Sequence, residues 1–392
     1  MTQPTPARLP SSHPDPSHPA AARTTTFAPR LAALLREHRG KDVFRLEPDT
    51  IGVAGHELAD RILSARRATE VERPTFKPLQ GRSIPPSEAA LVMRTVGRDV
   101  REALKRPRPG NIDLSGPWPH TGHVFLRDLI LGGDPYRLRI LMSRNLELTT
   151  KLTWSVIAAG AALPRPLRAR PGHELTALAR RTAEAGNYQD RRYAMGMYRR
   201  AAAPVCFTVS TLVANALWLG SPFDPSVPNR NILYEAMRLL PPSWNMLRNA
   251  SPEYPELDPA IGAGDDILVL PLLSQRDPAL WEHPDEFRPE RWDALDPDTA
   301  PGYLAFGHGS ERCWGRHAVM PLAELLLDLL RNEGLAVSPK QRSAKVPLAG
   351  LLGVDEVQVT REGHCRSRCR PLSNGGLHRA FSPCRCSRTG DE

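Results

Sequence analysis

The sequence AFGHGSERCWGR occupies residues 305–316 and decides how the rest of the chain is interpreted. It places Cys313 in a loop that contains three glycines, and a phenylalanine stands seven residues before it. Glycines let a backbone bend sharply and approach a flat ligand, and they leave N–H groups free to point at the sulfur. Apolar residues at helical spacing follow over 318–330, so we expect the cysteine at a helix N-terminus. A thiolate there has a lowered pKa and can bind a metal.

The loop therefore predicts a binding site for a metal centre, with Cys313 as the ligand. The alternative is a glycine-rich turn that holds an ordinary buried cysteine. The spacing favours the metal, because Phe306, Gly309, Cys313 and Gly315 fall where the haem-binding loop of the cytochrome P-450 family has its Phe, Gly, Cys and Gly. The run resembles that loop closely, and Gly307 lies within it. The resemblance implies that Cys313 is the proximal thiolate of a haem iron, which favours O–O cleavage.

The contacts that the family makes with the haem propionates are only partly matched. The loop usually carries Arg or His two residues before the cysteine, whereas this chain has Glu311 there and Arg312 one residue later. Either the loop shifts by one residue, so that Arg312 takes the role, or one propionate partner is missing. Arg248 matches the strand arginine that reaches a propionate in the family. Residues 64–86 lack the family's tryptophan and arginine four apart, so this region looks shortened.

A charged network is expected on the thiolate side of the core. Glu235 and Arg238 are three residues apart and share a helix face, which by itself indicates a solvated surface pair. Together with Arg291 they resemble the family's buried Glu-Arg-Arg network. Because a buried charge needs partners, the resemblance implies a structural role for these three residues.

The long apolar helix predicted over 191–219 matches the family's central helix over the haem. That helix normally carries an acid and a threonine that relay protons to dioxygen. Here Cys206 and Phe207 stand where the acid and the alcohol are expected, and Thr208 comes one residue too late. One residue turns a helix position by about 100°. Pro204 should kink the helix and could aim Thr208 at the iron.

Composition suits a soluble globular protein, because 41% of the 392 residues are hydrophobic and 24% are charged. The formal charge of +9 is too diffuse to predict nucleic-acid binding. It fits a basic face that docks an acidic electron-transfer partner, or an ordinary solvated surface. We see no secretory signal and no uninterrupted apolar run of membrane-spanning length. We therefore expect a cytoplasmic protein without membrane contact.

Three segments are predicted: a disordered Pro/Ser-rich N-terminus over 1–27, a haem domain over 28–360, and an Arg/Cys-rich disordered tail over 361–392. The tail cysteines have poor spacing for zinc. A hairpin is predicted at 43–46 and 50–54, a buried strand at 267–273, and a small C-terminal sheet within 335–360. Besides 191–219, the predicted helices lie at 31–40, 55–63, 87–105, 120–131, 136–160, 172–185, 231–238 and 317–333.

The resemblance implies the cytochrome P-450 fold, which is mainly α with small β-sheets and forms one helix-rich domain around a buried haem b. It implies a monooxygenase that inserts one oxygen atom from dioxygen into a small hydrophobic metabolite. Electrons would come from NAD(P)H through a ferredoxin- or flavodoxin-type partner. Because no acid–alcohol pair is evident, two alternatives stay open. One is a haem-thiolate enzyme that uses peroxide or catalyses coupling or rearrangement, and the other is a haem-binding protein without turnover.

Overall fold

The computed structural model describes residues 23–64, 86–106, 113–131, 188–249, 258–262, 264–309, 312–313 and 315–361. The chain divides into two units, 1–361 and 362–392, and every described residue belongs to the first. The helices predicted at 136–160 and 172–185, the tail over 362–392 and Glu311 lie outside the described residues.

The helices predicted within these ranges are confirmed, with ends that shift by a few residues. Their bounds are α1 Pro29–Glu37, α2 His56–Ser64, α3 Pro86–Lys105, α4 His120–Leu131, α5 Tyr188–Gly220, α6 Asn229–Leu239 and α8 Arg316–Asn332. A further helix, α7 Pro271–Ser274, was not predicted. A short 3₁₀ helix spans Pro289–Asp293. Helix α5 continues through Pro204 and α8 through Pro321. The kink expected at Pro204 stays a prediction.

Helices α5 and α8 pack against each other at the centre of the core. Helix α8 presents leucines at the i, i+4 spacing of a buried face, and Leu322, Leu326 and Leu330 are fully inaccessible to solvent. Burying each such side chain contributes about 1.5–3 kcal/mol. Since α8 begins directly after the glycine-rich loop, this packing fixes where the loop ends.

Helix α5 contains a stretch, Ala201–Gly220, that is long and apolar enough to cross a membrane by length and composition. Polar residues such as Ser210 and Asn215 interrupt the apolar run, so the sequence contains no uninterrupted apolar run of membrane-spanning length here. In the structure 78% of this stretch is buried inside the protein. Its apolar character is therefore explained by its central place in the core.

The largest sheet has four strands in the order β2-β3-β6-β5, with β2 Val43–Glu47, β3 Thr50–Val53, β5 Met246–Asn249 and β6 Asp266–Val269. The predicted hairpin is confirmed, because β2 and β3 pair antiparallel. The strand predicted at 267–273 was wrong in its second half. It ends at Val269, and Pro271 begins α7, since proline has no N–H to donate to the ladder.

The prediction of one small C-terminal sheet within 335–360 was also wrong, because its strands join two sheets. Strands β7 Leu335–Val337 and β9 Val357–Arg361 join β4 Gly116–Trp118 in the order β4-β9-β7. Strand β8 Ser343–Val346 pairs in parallel with β1 Thr24–Phe27.

Strand β1 lies within the segment that was expected to be disordered, so the folded part begins before residue 28. Three consecutive threonines supply β-propensity without apolar alternation, which hid the strand in the sequence. Helix α5 anchors it: Trp218 Nε1 donates a hydrogen bond to Thr25 Oγ1 at 2.9 Å. Arg23 donates to the Trp218 carbonyl at 3.2 Å and lies over its ring at 5.6 Å.

Substituting Thr25→Val tests this anchor. The side chain keeps its shape but loses the acceptor, which leaves the buried Trp218 indole N–H unpaired. We expect the free energy of unfolding to fall by about 1–3 kcal/mol, measured by urea denaturation. Thr26→Val, at an exposed position of the same strand, is the control and should change stability by less than about 0.5 kcal/mol. Equal effects of the two substitutions would contradict the anchor.

Candidate functional site

Backbone hydrogen bonds close the glycine-rich loop upon itself. The Cys313 N–H donates to the Phe306 carbonyl at 2.8 Å, and the Gly307 N–H donates to the Leu304 carbonyl at 2.9 Å. Gly307 and Gly309 have φ angles of 73° and 56°, a left-handed backbone that disfavours residues with a Cβ. The loop therefore holds the two ends of the Phe306–Cys313 segment together, and its glycines are required by the turn.

Helix α2 packs directly on this loop. A Cβ atom at Gly309 would lie 2.8 Å from Ser64 Oγ, so a larger residue would require the Ser64 side chain to shift. His308 Nδ1 lies 3.1 Å from Asp60 Oδ1. Burial raises the pKa of Asp60, and the nearby His308 and His56 oppose the rise. The contact with α2 was not predicted, because nothing in the sequence indicates which helix meets the loop.

Helix α5 meets the other end of the loop. A Cβ atom at Gly315 would lie 3.5 Å from Cys313 Sγ and 4.0 Å from Val205 Cγ2. Gly315 is the N-cap of α8, so Cys313 stands just before that helix begins, as the sequence predicted. The structure thus brings the thiol, the N-terminus of α8 and the central helix to one place.

The donor chemistry at Cys313 fits haem. Its thiol is free and the residue is exposed, so the sulfur is available to a ligand. Among the residues that the structure describes, no group of three or more His, Cys, Asp or Glu side chains could hold a metal ion by itself. A single soft sulfur donor suits an iron whose remaining ligands come from a macrocycle. Phe306, partly buried against the core, lies beside this donor in the closed loop.

The two arginines expected at the propionates make protein contacts in this structure. Arg312 Nη1 lies 3.0 Å from Asp298 Oδ1, and its Nη2 donates to the Asp298 carbonyl at 2.8 Å. Arg248, on strand β5, donates from Nη1 to the Leu247 carbonyl at 2.8 Å. The Asp298 partner was not predicted, because it lies in a separate loop fourteen residues earlier.

The three residues expected on the central helix differ in their surroundings. Cys206 is fully buried, and burial raises the pKa of its thiol to about 12, although Arg127 opposes the rise. The thiol is therefore neutral at pH 7. Phe207 stacks on His123 of α4, with ring centroids 4.2 Å apart and planes at 2°. Thr208 is partly exposed, and it is the member of this trio that carries a hydroxyl.

Glu235 is at the centre of the charged network. Its carboxylate is completely buried and accepts five hydrogen bonds. Arg238 donates from Nε to Oε2 at 2.9 Å and from Nη2 to Oε1 at 2.7 Å. Arg291 Nε donates at 3.1 Å, Trp292 Nε1 at 3.0 Å and the Arg288 backbone N–H at 3.0 Å. These charge-assisted bonds offset the cost of burying the carboxylate.

Arg238 is also fully buried and uses every N–H of its guanidinium. Besides its bonds to Glu235, it donates from Nη1 to the carbonyls of Gln275 at 2.9 Å and Pro284 at 2.7 Å, and from Nη2 to that of Glu286 at 2.9 Å. The structure thus brings the three predicted network residues together and ties them to the backbone of the 275–288 segment.

Comparison with known proteins shows what part of this chain is similar to. The family model described as Cytochrome P450 matches residues 230–351. Cyclooctatin synthase of Streptomyces melanosporofaciens is 38% identical over 101 residues, which are 25% of this chain and 22% of that protein. Cytochrome P450 4d2 of Drosophila melanogaster is 34% identical over 128 residues, 32% of this chain and 26% of its own. The matches span about a quarter of the length of these relatives.

Solved structures extend the likeness to most of the chain. CYP105P1 superposes with a TM-score of 0.53 at 21% identity and covers 89% of this chain and 98% of its own. HmtN, a hydroxylase of himastatin biosynthesis, has a TM-score of 0.53 at 16% identity and covers 85% and 97%. At these identities the likeness concerns the fold, and it confirms the predicted helix-rich architecture with small sheets.

Substituting Glu235→Gln tests the network. The change removes the charge that compensates the buried Arg238, so we expect the free energy of unfolding to fall by about 3–5 kcal/mol, measured by urea denaturation. The control is Glu290→Gln, which removes an exposed carboxylate paired with Arg288 and should cost at most about 1 kcal/mol. A loss below about 1 kcal/mol for Glu235→Gln would show that the carboxylate is not needed as a charge.

Proposed function

We propose that this member of the cytochrome P450 family binds haem b through Cys313 and inserts one oxygen atom from dioxygen into a small hydrophobic metabolite. The observation that carries the proposal is the exposed thiol of Cys313. A closed loop holds it where α2, α5 and α8 meet. When bound, the haem supplies dioxygen activation and oxygen-atom transfer. The chain's own residues hold it, exclude water and move protons.

The proposed cofactor residues act in two ways. Cys313 supplies the thiolate, and Phe306, Gly307, Gly309 and Gly315 shape the loop around it. Arg248 and Arg312 are proposed to neutralise the propionates, and Arg312 would exchange its surface contact with Asp298 for one of them. The network of Glu235, Arg238 and Arg291 keeps the segment before the loop in place.

Exposed apolar side chains support a hydrophobic substrate. Leu247 and Leu348 are 49% and 45% exposed. They lie on two segments that Trp244 joins, since its Nε1 donates to the Ala349 carbonyl at 3.1 Å. We propose that these leucines face the substrate. The fold also resembles that of HmtN, a hydroxylase involved in himastatin biosynthesis, which supports our proposal of secondary metabolism as the setting.

Electrons are proposed to come from NAD(P)H through a ferredoxin- or flavodoxin-type protein in the cytoplasm. The net charge of +9 favours an acidic partner, because complementary charge speeds encounter. We assign no role in binding nucleic acid or membranes.

A second candidate function follows from the surroundings of Cys206 and Phe207. A buried neutral thiol and a ring stacked on His123 are poor proton donors, so Thr208 is the proposed proton-relay residue. A haem-thiolate enzyme that uses peroxide, or that catalyses coupling or rearrangement, depends less on a proton donor at these positions of α5. A haem-binding protein without turnover requires no proton donor there.

Substituting Cys313→Ser should abolish the thiolate-type absorption band of the reduced protein with carbon monoxide, because oxygen replaces the sulfur donor. Cys206→Ala is the matched control, since it removes the other described cysteine from a buried site in α5. The control should keep the band. Persistence of the band in Cys313→Ser, or its loss in Cys206→Ala alone, would contradict the ligand assignment.

Oxygen consumption separates the candidate functions. With NADPH and surrogate redox partners, a monooxygenase consumes oxygen in the presence of a metabolite that shifts the haem spin state, and forms a hydroxylated product. A peroxide-dependent enzyme forms product with hydrogen peroxide alone. A protein without turnover forms none under either condition, which would contradict both enzymatic proposals.

Substituting Thr208→Val tests the proposed proton relay. We expect product formation per NADPH consumed to fall by about a hundredfold, at the low end of what a positioned proton donor contributes. Ser210→Ala is the control, because that hydroxyl already bonds to the Phe207 carbonyl of its own helix. If Thr208→Val keeps full coupling, Thr208 does not deliver protons.

A further inference from the structure

Gln275, at the C-cap of α7, is fully buried and bonds in two directions at once. Its side-chain nitrogen donates to the carbonyls of Met237 at 2.8 Å and Arg238 at 3.0 Å, which uses both amide hydrogens. Its side-chain oxygen accepts the Leu304 N–H at 3.0 Å. One amide thus joins the end of α6 to the residue that precedes the glycine-rich loop.

The two α6 carbonyls belong to a helix terminus that needs partners. The last carbonyls of an α-helix have no intrahelical donor, and in α6 these follow Ala236, whose carbonyl accepts the Leu240 N–H. Arg276 Nη2 serves Leu239 and Asn215 Nδ2 serves Leu240, so Gln275 satisfies the remaining pair. Its position is therefore fixed by buried groups that would otherwise be unpaired.

Beyond Leu304, two backbone hydrogen bonds lead to Cys313. The Leu304 carbonyl accepts the Gly307 N–H at 2.9 Å, and the Phe306 carbonyl accepts the Cys313 N–H at 2.8 Å. Both bonds lie within the segment whose first N–H is held by Gln275. A loop with left-handed glycines has little stiffness of its own, so its orientation depends on such fixed points.

We propose that Gln275 is a positioning residue that sets the Cys313 loop against the end of α6, an inference that rests on the proposed haem-thiolate function. It acts through the Leu304 N–H and does not touch the sulfur. The charged network of Glu235 and Arg238 holds α6, and Gln275 transmits that fixed position to the thiolate loop.

Two substitutions separate the two sides of the amide. Gln275→Ala removes both sets of bonds. Gln275→Glu keeps an acceptor for Leu304 but removes the donors to Met237 and Arg238. Gln341→Ala is the matched control. That glutamine has the same bonding pattern, with donation to the carbonyls of Ser343 and Glu356 and acceptance from the Gln358 N–H, but it lies in the loop between β7 and β8.

The first readout is the absorption spectrum and the rate of haem release of the haem-loaded full chain. We expect Gln275→Ala to lose most of the thiolate-type absorption of the reduced carbon monoxide complex and to release haem several-fold faster than the unsubstituted chain. Gln275→Glu should show an intermediate loss, and Gln341→Ala none. Val346→Ala, a core substitution in β8, supplies a destabilised chain for comparison at equal unfolding free energy. If Val346→Ala loses the band as Gln275→Ala does, the effect is general destabilisation and the proposal is overturned.

The second readout does not require haem. Amide hydrogen exchange of Leu304, Gly307 and Cys313 in the full chain should speed up several-fold in Gln275→Ala, while exchange in α8 changes little. Faster exchange together with absence of a thiolate band in the unsubstituted protein would overturn the haem assignment and leave Gln275 as the loop's fixed point. Unchanged exchange in both Gln275 variants would overturn the positioning role, whatever ligand Cys313 binds.

Discussion

The buried carboxylate of Glu235 is the constraint on which the rest of this structure depends. An isolated carboxylate in a protein interior costs several kcal/mol of solvation, so its oxygens must meet donors with good geometry. Five donors from Arg238, Arg291, Trp292 and the Arg288 backbone provide them. Because these donors lie on α6 and on the segment after α7, satisfying one charge fixes two distant parts of the chain relative to each other.

That fixed geometry reaches the thiol through backbone groups. Arg238 and Gln275 bond each other in both directions, since Arg238 donates to the Gln275 carbonyl and Gln275 donates to the Arg238 carbonyl. The Gln275 side chain then holds Leu304, from which the loop to Cys313 starts. A loop rich in glycine lacks side chains that could pack, so hydrogen bonds of the neighbouring backbone take over the task that packing performs elsewhere.

The sequence was sufficient to predict what is local. Apolar periodicity located α4 and α8 closely, and the spacing of Glu235 and Arg238 placed both on one helix face. The sequence was insufficient where a residue's contact partner is remote in the chain. The role of Gln275 depends on carbonyls in α6 and an amide at Leu304 that no spacing rule relates. Strand β1 was missed for a similar reason, because the indole of Trp218 that holds it lies in another element.

The two sides of the proposed site follow different physical requirements. The thiolate side is built from buried charge and backbone hydrogen bonds, which tolerate few substitutions. On helix α5 the corresponding positions hold Cys206, whose pKa burial raises to about 12, and Phe207, which stacks against α4. Both side chains make their contacts within the protein core. Since neither can exchange a proton with a ligand near neutral pH, the proposed iron-binding function and the proposed proton-delivery function are separable in this chain. In that proposal the first rests on the loop at Cys313, whereas the second rests on Thr208 and on water or substrate hydroxyls.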